Sequence, residues 1–199
     1  MFLVFSSVLL FISGYFFFTY FQERKQGEPS TTSVSFSPTN TVHQQQENPT
    51  EHTPTKKNHP THISFPIKQA NAPIFEVGVD DDGRMQTIAD ANSIAWYGKG
   101  AAPGETGNTI LAGHRDWKGD IGIFQYLEDI QLEEPVAITL EDGTTKTYLV
   151  AEKQSFYEED VPSYVMSQEG ENRITLITCT GQFDKAKRSY VKRLIVTLK

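Results

Sequence analysis

The nine residues Arg173-Ile174-Thr175-Leu176-Ile177-Thr178-Cys179-Thr180-Gly181 constrain this chain more than any other stretch. β-Branched and aliphatic side chains alternate through it, which suits a pleated, half-buried strand and fits neither a helix nor a loop. The run reaches the only cysteine in 199 residues, and a glycine follows two places later. It therefore reads as a strand that ends by presenting one thiol at its mouth. Two other strand patterns bring chemistry with them. Thr109-Ile110-Leu111-Ala112-Gly113-His114 finishes on an imidazole, and Tyr190-Val191-Lys192-Arg193-Leu194-Ile195-Val196 carries a guanidinium. In the last of these, Leu194, Val196 and Leu198 form the apolar face, so Arg193 points the other way with Val191, Ile195 and Thr197.

The remaining signals are also those of short strands. Ile67 and Ile74 to Val79 read as opening strands, with Asp80-Asp81-Asp82-Gly83 as a solvated turn. The acidic triple lacks the spaced ligands and closing Glu of a calcium-binding EF-hand loop. Pro103-Gly104-Glu105-Thr106-Gly107-Asn108 is a turn leading into the histidine strand, and Gly122 to Leu127 reads as a short helix or 3₁₀ turn. Val136 to Leu140 and Thr147 to Val150 flank Glu141-Asp142-Gly143, a hairpin signal. A loop follows over Phe156 to Gln168. Many short strands without a βαβ rhythm predict an all-β fold, a sandwich or a closed barrel.

The N-terminal third differs. Met1 to Phe21 carry no charged side chain and match the ~20-residue length of a bilayer-spanning helix. Bulky Thr19-Tyr20-Phe21-Gln22 offers no small-residue cleavage site, so an uncleaved anchor is expected over residues 1–21. The basic residues Arg24 and Lys25 follow the segment, and the positive-inside rule alone would put that side in the cytoplasm. Residues 22–64 are rich in Ser, Thr, Pro, Gln and Asn, poor in aliphatic side chains, and read as a disordered stalk. His43, His52, His59 and His62 fall in it at irregular spacing, which leaves His114 as the one histidine of a domain expected over 65–199. That domain is expected to fold without the first 64 residues.

A net charge of −7 with no basic stripe excludes a nucleic-acid binder. A lone cysteine excludes an internal disulfide and a thiolate-rich metal site, and no cofactor is implied. Standing alone, Cys179 would be read as a small buried hydrophobe. With His114 it can do more. An imidazole can accept the thiol proton, protonate a leaving amine and later deprotonate an incoming nucleophile, as acyl transfer requires. Arg193 can stabilise the oxyanion that forms in between.

Thr175-Leu176-Ile177-Thr178-Cys179 resembles the Thr-Leu-x-Thr-Cys signature of the sortases. Leu111-Ala112-Gly113-His114 is similar to the histidine segment of that family, Tyr190 to Val196 to its arginine strand, and residues 103–109 to the turn before its histidine. Cys179-Thr180-Gly181-Gln182-Phe183-Asp184 resembles class D, E and F members more than class A or B. The resemblance covers the whole domain in the order His, Cys, Arg. It implies an eight-stranded β-barrel and a membrane-anchored cysteine transpeptidase with its catalytic domain outside a Gram-positive cell. Such an enzyme cleaves a Leu-Pro-x-Thr-Gly-like sorting signal through a thioacyl intermediate on Cys179, with His114 as general acid/base and Arg193 as stabiliser. Its partners would be surface proteins bearing C-terminal sorting signals and a peptidoglycan-precursor amine. Some members need calcium, for which no ligand set is visible. Two alternatives stay open at this stage: an L,D-transpeptidase, whose Ser-x-Gly type motif Ile177-Thr178-Cys179 does not match, and a non-enzymatic anchored module.

Overall fold

The computed structural model describes residues 57–199. The anchor expected over 1–21 and the stalk up to residue 56 lie outside the described residues. Ten strands form: β1 (Pro60–Phe65), β2 (Ala70–Val77), β3 (Ile94–Tyr97), β4 (Asn108–Gly113), β5 (Asp116–Trp117), β6 (Asp120–Ile121), β7 (Pro135–Leu140), β8 (Thr145–Tyr157), β9 (Arg173–Asp184) and β10 (Ser189–Leu198). Eight of them close a barrel in the order β1-β2-β3-β4-β9-β10-β8-β7, and β5 with β6 makes a separate two-stranded ribbon. The β2/β3 and β4/β9 pairs are parallel; the other barrel pairs are antiparallel. The expected eight-stranded all-β barrel is the fold observed.

Alternation decides which side chains fill it. Ile174 and Leu176 of β9, Leu194, Val196 and Leu198 of β10, and Leu111 of β4 point into the core with Ile63, Phe65, Trp96, Phe124 and Ile138. Each such side chain contributes about 1.5–3 kcal/mol by leaving water. Phe124 belongs to a 3₁₀ turn, Ile123–Glu128, as expected around Gly122 to Leu127. The β7–β8 hairpin also forms as expected: Asp142 Oδ1 accepts from Thr144 N at 2.8 Å, and Gly143 adopts φ +84.

Several boundaries differ from the sequence reading: β8 runs on to Tyr157, past the expected Val150 and into the expected loop, and β2 begins at Ala70 and ends at Val77. Residues 60–64 are not stalk: they belong to β1, which pairs with β2 and β7 and buries Ile63 completely. Only Ile63 and Phe65 carry its apolar signal, amid polar residues and a proline. The fold extends even earlier, since Lys57 Nζ donates to Gly100 O at 2.8 Å. Consequently His59 and His62 lie in the folded part; the His59 ring meets Trp96 edge-on at 4.9 Å, and His62 is exposed on β1. Ile67 is not in a strand: Pro66 opens a 3₁₀ turn, Pro66–Lys68, that leaves Ile67 63% exposed. Finally, β9 does not stop at Cys179 but runs to Asp184, paired with β10 across a register shift.

Candidate active site

Backbone register pairs two of the three sequence-selected residues, and the third follows the strand next to them. The parallel β4/β9 ladder pairs Leu111 with Leu176 and Ala112 with Ile177. The ladder stops there, two positions short of His114 and Cys179, and β4 itself ends at Gly113, one residue before the histidine. On the other side of β9, Cys179 pairs directly with Arg193 of β10. Since Leu111, Leu176 and Leu194 point inward, their odd-even opposites Ala112, His114, Ile177, Cys179 and Arg193 share the outer face of the barrel. The other histidine strand, β1, is separated from β9 by β2, β3 and β4, so among the described residues His114 is the histidine that follows a strand next to β9.

The histidine segment is tightly built. Thr178 Oγ1 donates to Gly113 O at 2.8 Å, tying the cysteine strand to the residue before the imidazole. Gly113 must lack a side chain, because a Cβ there would lie 2.6 Å from Ile94 Cδ1 and 2.8 Å from the Phe124 ring. Gly122 is as constrained: a Cβ would sit 2.1 Å from His114 O. The imidazole stacks on Trp117, with ring centroids 4.5 Å apart and planes inclined by 28°. Its Nε2 lies 2.8 Å from Ile88 O in the β2–β3 connection. A carbonyl can only accept, so Nε2 carries the hydrogen and Nδ1 is the nitrogen free to exchange protons in the neutral ring.

Burial pushes the Cys179 thiol above its ordinary pKa; the Arg193 charge opposes this, while the Glu158 and Asp116 carboxylates add to it. A thiol held in this direction needs a proton acceptor to become a nucleophile. Arg193, 19% exposed at its side chain, donates from Nη1 to Tyr190 O at 2.8 Å and Lys192 O at 3.1 Å, and from Nη2 to the Glu158 carboxylate. Arg188, by contrast, lies exposed in the β9–β10 turn. Arg193 also lines a groove of about 560 Å³ walled by apolar Val79, Met85, Val161, Val165, Met166 and Ile177.

Several site features escaped the sequence reading. The Ile88 carbonyl has no side-chain signal at all. Arg115, adjacent to His114, forms a fork on Glu128, which holds the guanidinium pKa above its usual value. Burial pushes the Glu128 carboxyl up, but bonds from Arg115 and Thr180 outweigh it and hold it below the ordinary range. The Arg115-Asp116 pair beside His114 was the available hint. Among the described residues there is no group of three or more His, Cys, Asp or Glu that could hold a metal ion.

A closed barrel pairs the thiol strand with the guanidinium strand on one side and runs it beside the strand leading into His114 on the other. The Sortase domain family model matches residues 63–199, and the chain belongs to the sortase family of cysteine transpeptidases. That membership sets aside the L,D-transpeptidase and the non-enzymatic module. Among solved structures, a lid mutant of sortase A from Corynebacterium diphtheriae is 27% identical with a TM-score of 0.54, over 73% of this chain and 71% of that one. Another sortase A structure from the same organism is 27% identical with a TM-score of 0.51, over 71% of this chain and 60% of its own length. Sortase C1 from Streptococcus agalactiae shares the fold at 20% identity and a TM-score of 0.53, over 69% of this chain and 65% of that one. No curated protein sequence matches the chain.

Proposed function

We propose that Cys179, His114 and Arg193 carry the transpeptidase reaction, and that the substrate is a Leu-Pro-x-Thr-Gly-like sorting signal laid along the apolar groove. The observation that supports this reading is the register: Arg193 pairs with Cys179 on one side of β9, and on the other side β4, parallel to β9 up to Ala112 and Ile177, leads into His114. The thiol proton passes to His114 Nδ1, and the sulfur attacks the Thr carbonyl carbon. Arg193 stabilises the resulting oxyanion once its guanidinium turns from Glu158 toward the substrate. The C–N bond to Gly then breaks, the leaving amine takes the proton from His114, and the thioacyl enzyme remains. An incoming amine, from a peptidoglycan precursor, attacks the thioester and gives a proton to His114; the new amide forms and the thiol is restored.

The apolar run Met1 to Phe21 supports a single-pass anchor followed by a spacer to about residue 56, and membership of the sortase family, whose enzymes work at the cell surface, supports a barrel outside the cell. No helix among the described residues is long and apolar enough to cross a membrane. The segment Cys179 to Asp184 supports a class D, E or F affinity. The test is incubation of the 57–199 barrel with a library of sorting-signal peptides, followed by intact-mass measurement. Wild type should gain the mass of the peptide's N-terminal fragment, and Cys179→Ala should gain nothing. His114→Ala should abolish transfer to an amine, although a slow adduct on Cys179 is compatible with the scheme. No adduct with any peptide in the library would refute the sorting-signal assignment.

A further inference from the structure

At the level of the reactive side chains, the β4/β9 ladder has ended, while the β9/β10 ladder still pairs Cys179 with Arg193 and Thr180 with Lys192. The β4/β9 pairing ends at Ala112 and Ile177, before His114 and Cys179 are reached. The β9/β10 pairing shifts register between Tyr190 and Lys192, beside Arg193. A closed set of side-chain bonds takes over at that level. Arg115, next to His114, grips Glu128 with Nε to Oε1 at 2.9 Å and Nη2 to Oε2 at 3.2 Å. Glu128 Oε1 also accepts from Thr180 Oγ1, next to Cys179, at 2.8 Å. On its other side Arg115 Nη1 donates to Asp116 Oδ2 at 3.0 Å and to the Tyr190 hydroxyl at 3.1 Å, and that hydroxyl donates to Asp116. The Tyr190 carbonyl accepts from Arg193 Nη1 at 2.8 Å. From each reactive residue, one peptide link or one hydrogen bond leads into the same network.

We propose that Arg115, Glu128 and Tyr190 are positioning residues that set the approach of His114 to Cys179, where the β4/β9 ladder has ended, and the aim of the Arg193 guanidinium. This rests on the assignment of those three to the reaction. The arrangement suits the task physically. Proton and acyl transfer tolerate about 0.5 Å of misplacement, and half-buried charge-assisted forks are the stiffest side-chain links available. The planar guanidinium of Arg115 reaches three acceptors in fixed directions, which an ammonium cannot reproduce. None of the three residues walls the apolar groove.

The test pairs Glu128→Gln, which keeps the side-chain size but loses the charged fork, with Tyr190→Phe, which loses only the hydroxyl. With a fluorescence-quenched Leu-Pro-x-Thr-Gly peptide, kcat per folded molecule should fall roughly 10- to 100-fold in Glu128→Gln, the cost of ~1 Å of misplacement, while KM stays within about 3-fold. Tyr190→Phe should fall in the same direction by less. Unchanged kcat per folded molecule, with only the melting temperature lowered, would reduce the network to scaffolding and overturn the proposal. A second arm needs no peptide: the pH profile of Cys179 alkylation by iodoacetamide. The charges facing the thiol are Arg193, Glu158, Asp116 and Arg115, so Glu128 is not among the groups that set its titration directly. The inflection that His114→Ala abolishes should shrink in both variants, because the imidazole drifts from the sulfur; unchanged profiles in both would overturn the proposal. A shrunken inflection in a barrel that processes no peptide would support positioning and count against the sorting-signal assignment. If Glu128→Gln fails to fold, Tyr190→Phe decides by the same two readouts.

Discussion

Asn108 offers the clearest magnitude to test. Its side chain is fully buried, and every bond it makes is long-range: Nδ2 donates to Val165 O at 3.0 Å and Ser167 O at 3.1 Å, and Oδ1 accepts from Thr175 Oγ1 at 2.8 Å. Asn108 therefore pins the β8–β9 connection, including groove residues Val165 and Met166, to the outer face of the barrel. Asn108→Ala leaves two carbonyls and the hydroxyl of Thr175, which is 2% exposed, without these partners. An orphaned buried group costs about 1–3 kcal/mol. Ser167 is only half-buried and can turn to water, so two penalties and a small cavity remain, roughly 3–5 kcal/mol together. Against a typical total of ~5–15 kcal/mol that is a large fraction, and the melting temperature should drop by about 10 °C. Urea titration followed by fluorescence of buried Trp96 would measure the loss as a lower midpoint at unchanged slope. Peptide KM should rise more than kcat falls, because the groove wall loosens while the reactive trio keeps its register. Asn108→Asp retains the acceptor for Thr175 but aims a carboxylate at two carbonyls, so it should be no better tolerated at neutral pH and should recover partly in acid. A loss below about 1 kcal/mol in Asn108→Ala would refute the reasoning, since it would mean these bonds exchange with water at no cost.

Arg193→Lys should keep the fold yet lose roughly 100-fold in turnover, as expected for removal of one well-aimed oxyanion donor, whereas exposed Arg188→Lys should be silent; equal losses at both would mean the wrong arginine has been assigned. The Cys179 pKa is raised above its ordinary value of 9.0, so as pH climbs past that value the unfolded chain gives up the proton first and stability falls. Cys179→Ser should flatten that alkaline loss in pH-dependent melts, and Glu158→Gln, by removing a carboxylate that raises the thiol, should move the alkylation midpoint to lower pH. A barrel beginning at Lys57 should unfold cooperatively, whereas one beginning at Phe65 lacks β1 and the fully buried Ile63, opens the β2 and β7 edges, and should be partly unfolded or aggregate in the same melts.

What could be read directly from the residues was whatever side chains announce locally. The alternation around Cys179, the strand running into His114 and the parity of Arg193 are all patterns within a few positions, and the outer-face placement follows from them. The Asp142-Gly143 turn is local in the same sense. What stayed hidden is whatever depends on distant backbone. β1 carries just Ile63 and Phe65 between polar neighbours, and only pairing with β2 and β7 makes it a strand. Ile67 shows the converse, an apolar residue whose conformation is dictated by Pro66 and by Gln69 at φ +53 rather than by burial. The end of β9 was misplaced for a related reason: Gly181, at φ +81, accompanies the irregularity in pairing without ending the strand, which is held by β10 as far as Asp184. The Ile88 carbonyl and the Glu128 fork lie 26 and 13 positions from the residues they hold, beyond any local pattern.

The period of two in β9 also accounts for why reactivity and stability can share one strand. Ile174, Leu176 and Thr178 are buried on the inner side, while Ile177 and Cys179 on the outer side stay partly accessible. A slip of one residue against β4 or β10 would turn the thiol into the barrel and drive Leu176 out toward solvent, at a cost of about 1.5–3 kcal/mol for that side chain alone. The same slip would part Cys179 from Arg193 and break the Thr178 bond to Gly113. Core packing thus selects the one register that pairs Cys179 with Arg193 on the outer face. Fine spacing within that register falls to groups outside the core: the Ile88 carbonyl on one side of His114 and the Arg115 network on the other. Variants in the core should consequently change how much enzyme is folded, and variants in the network how fast each folded molecule works.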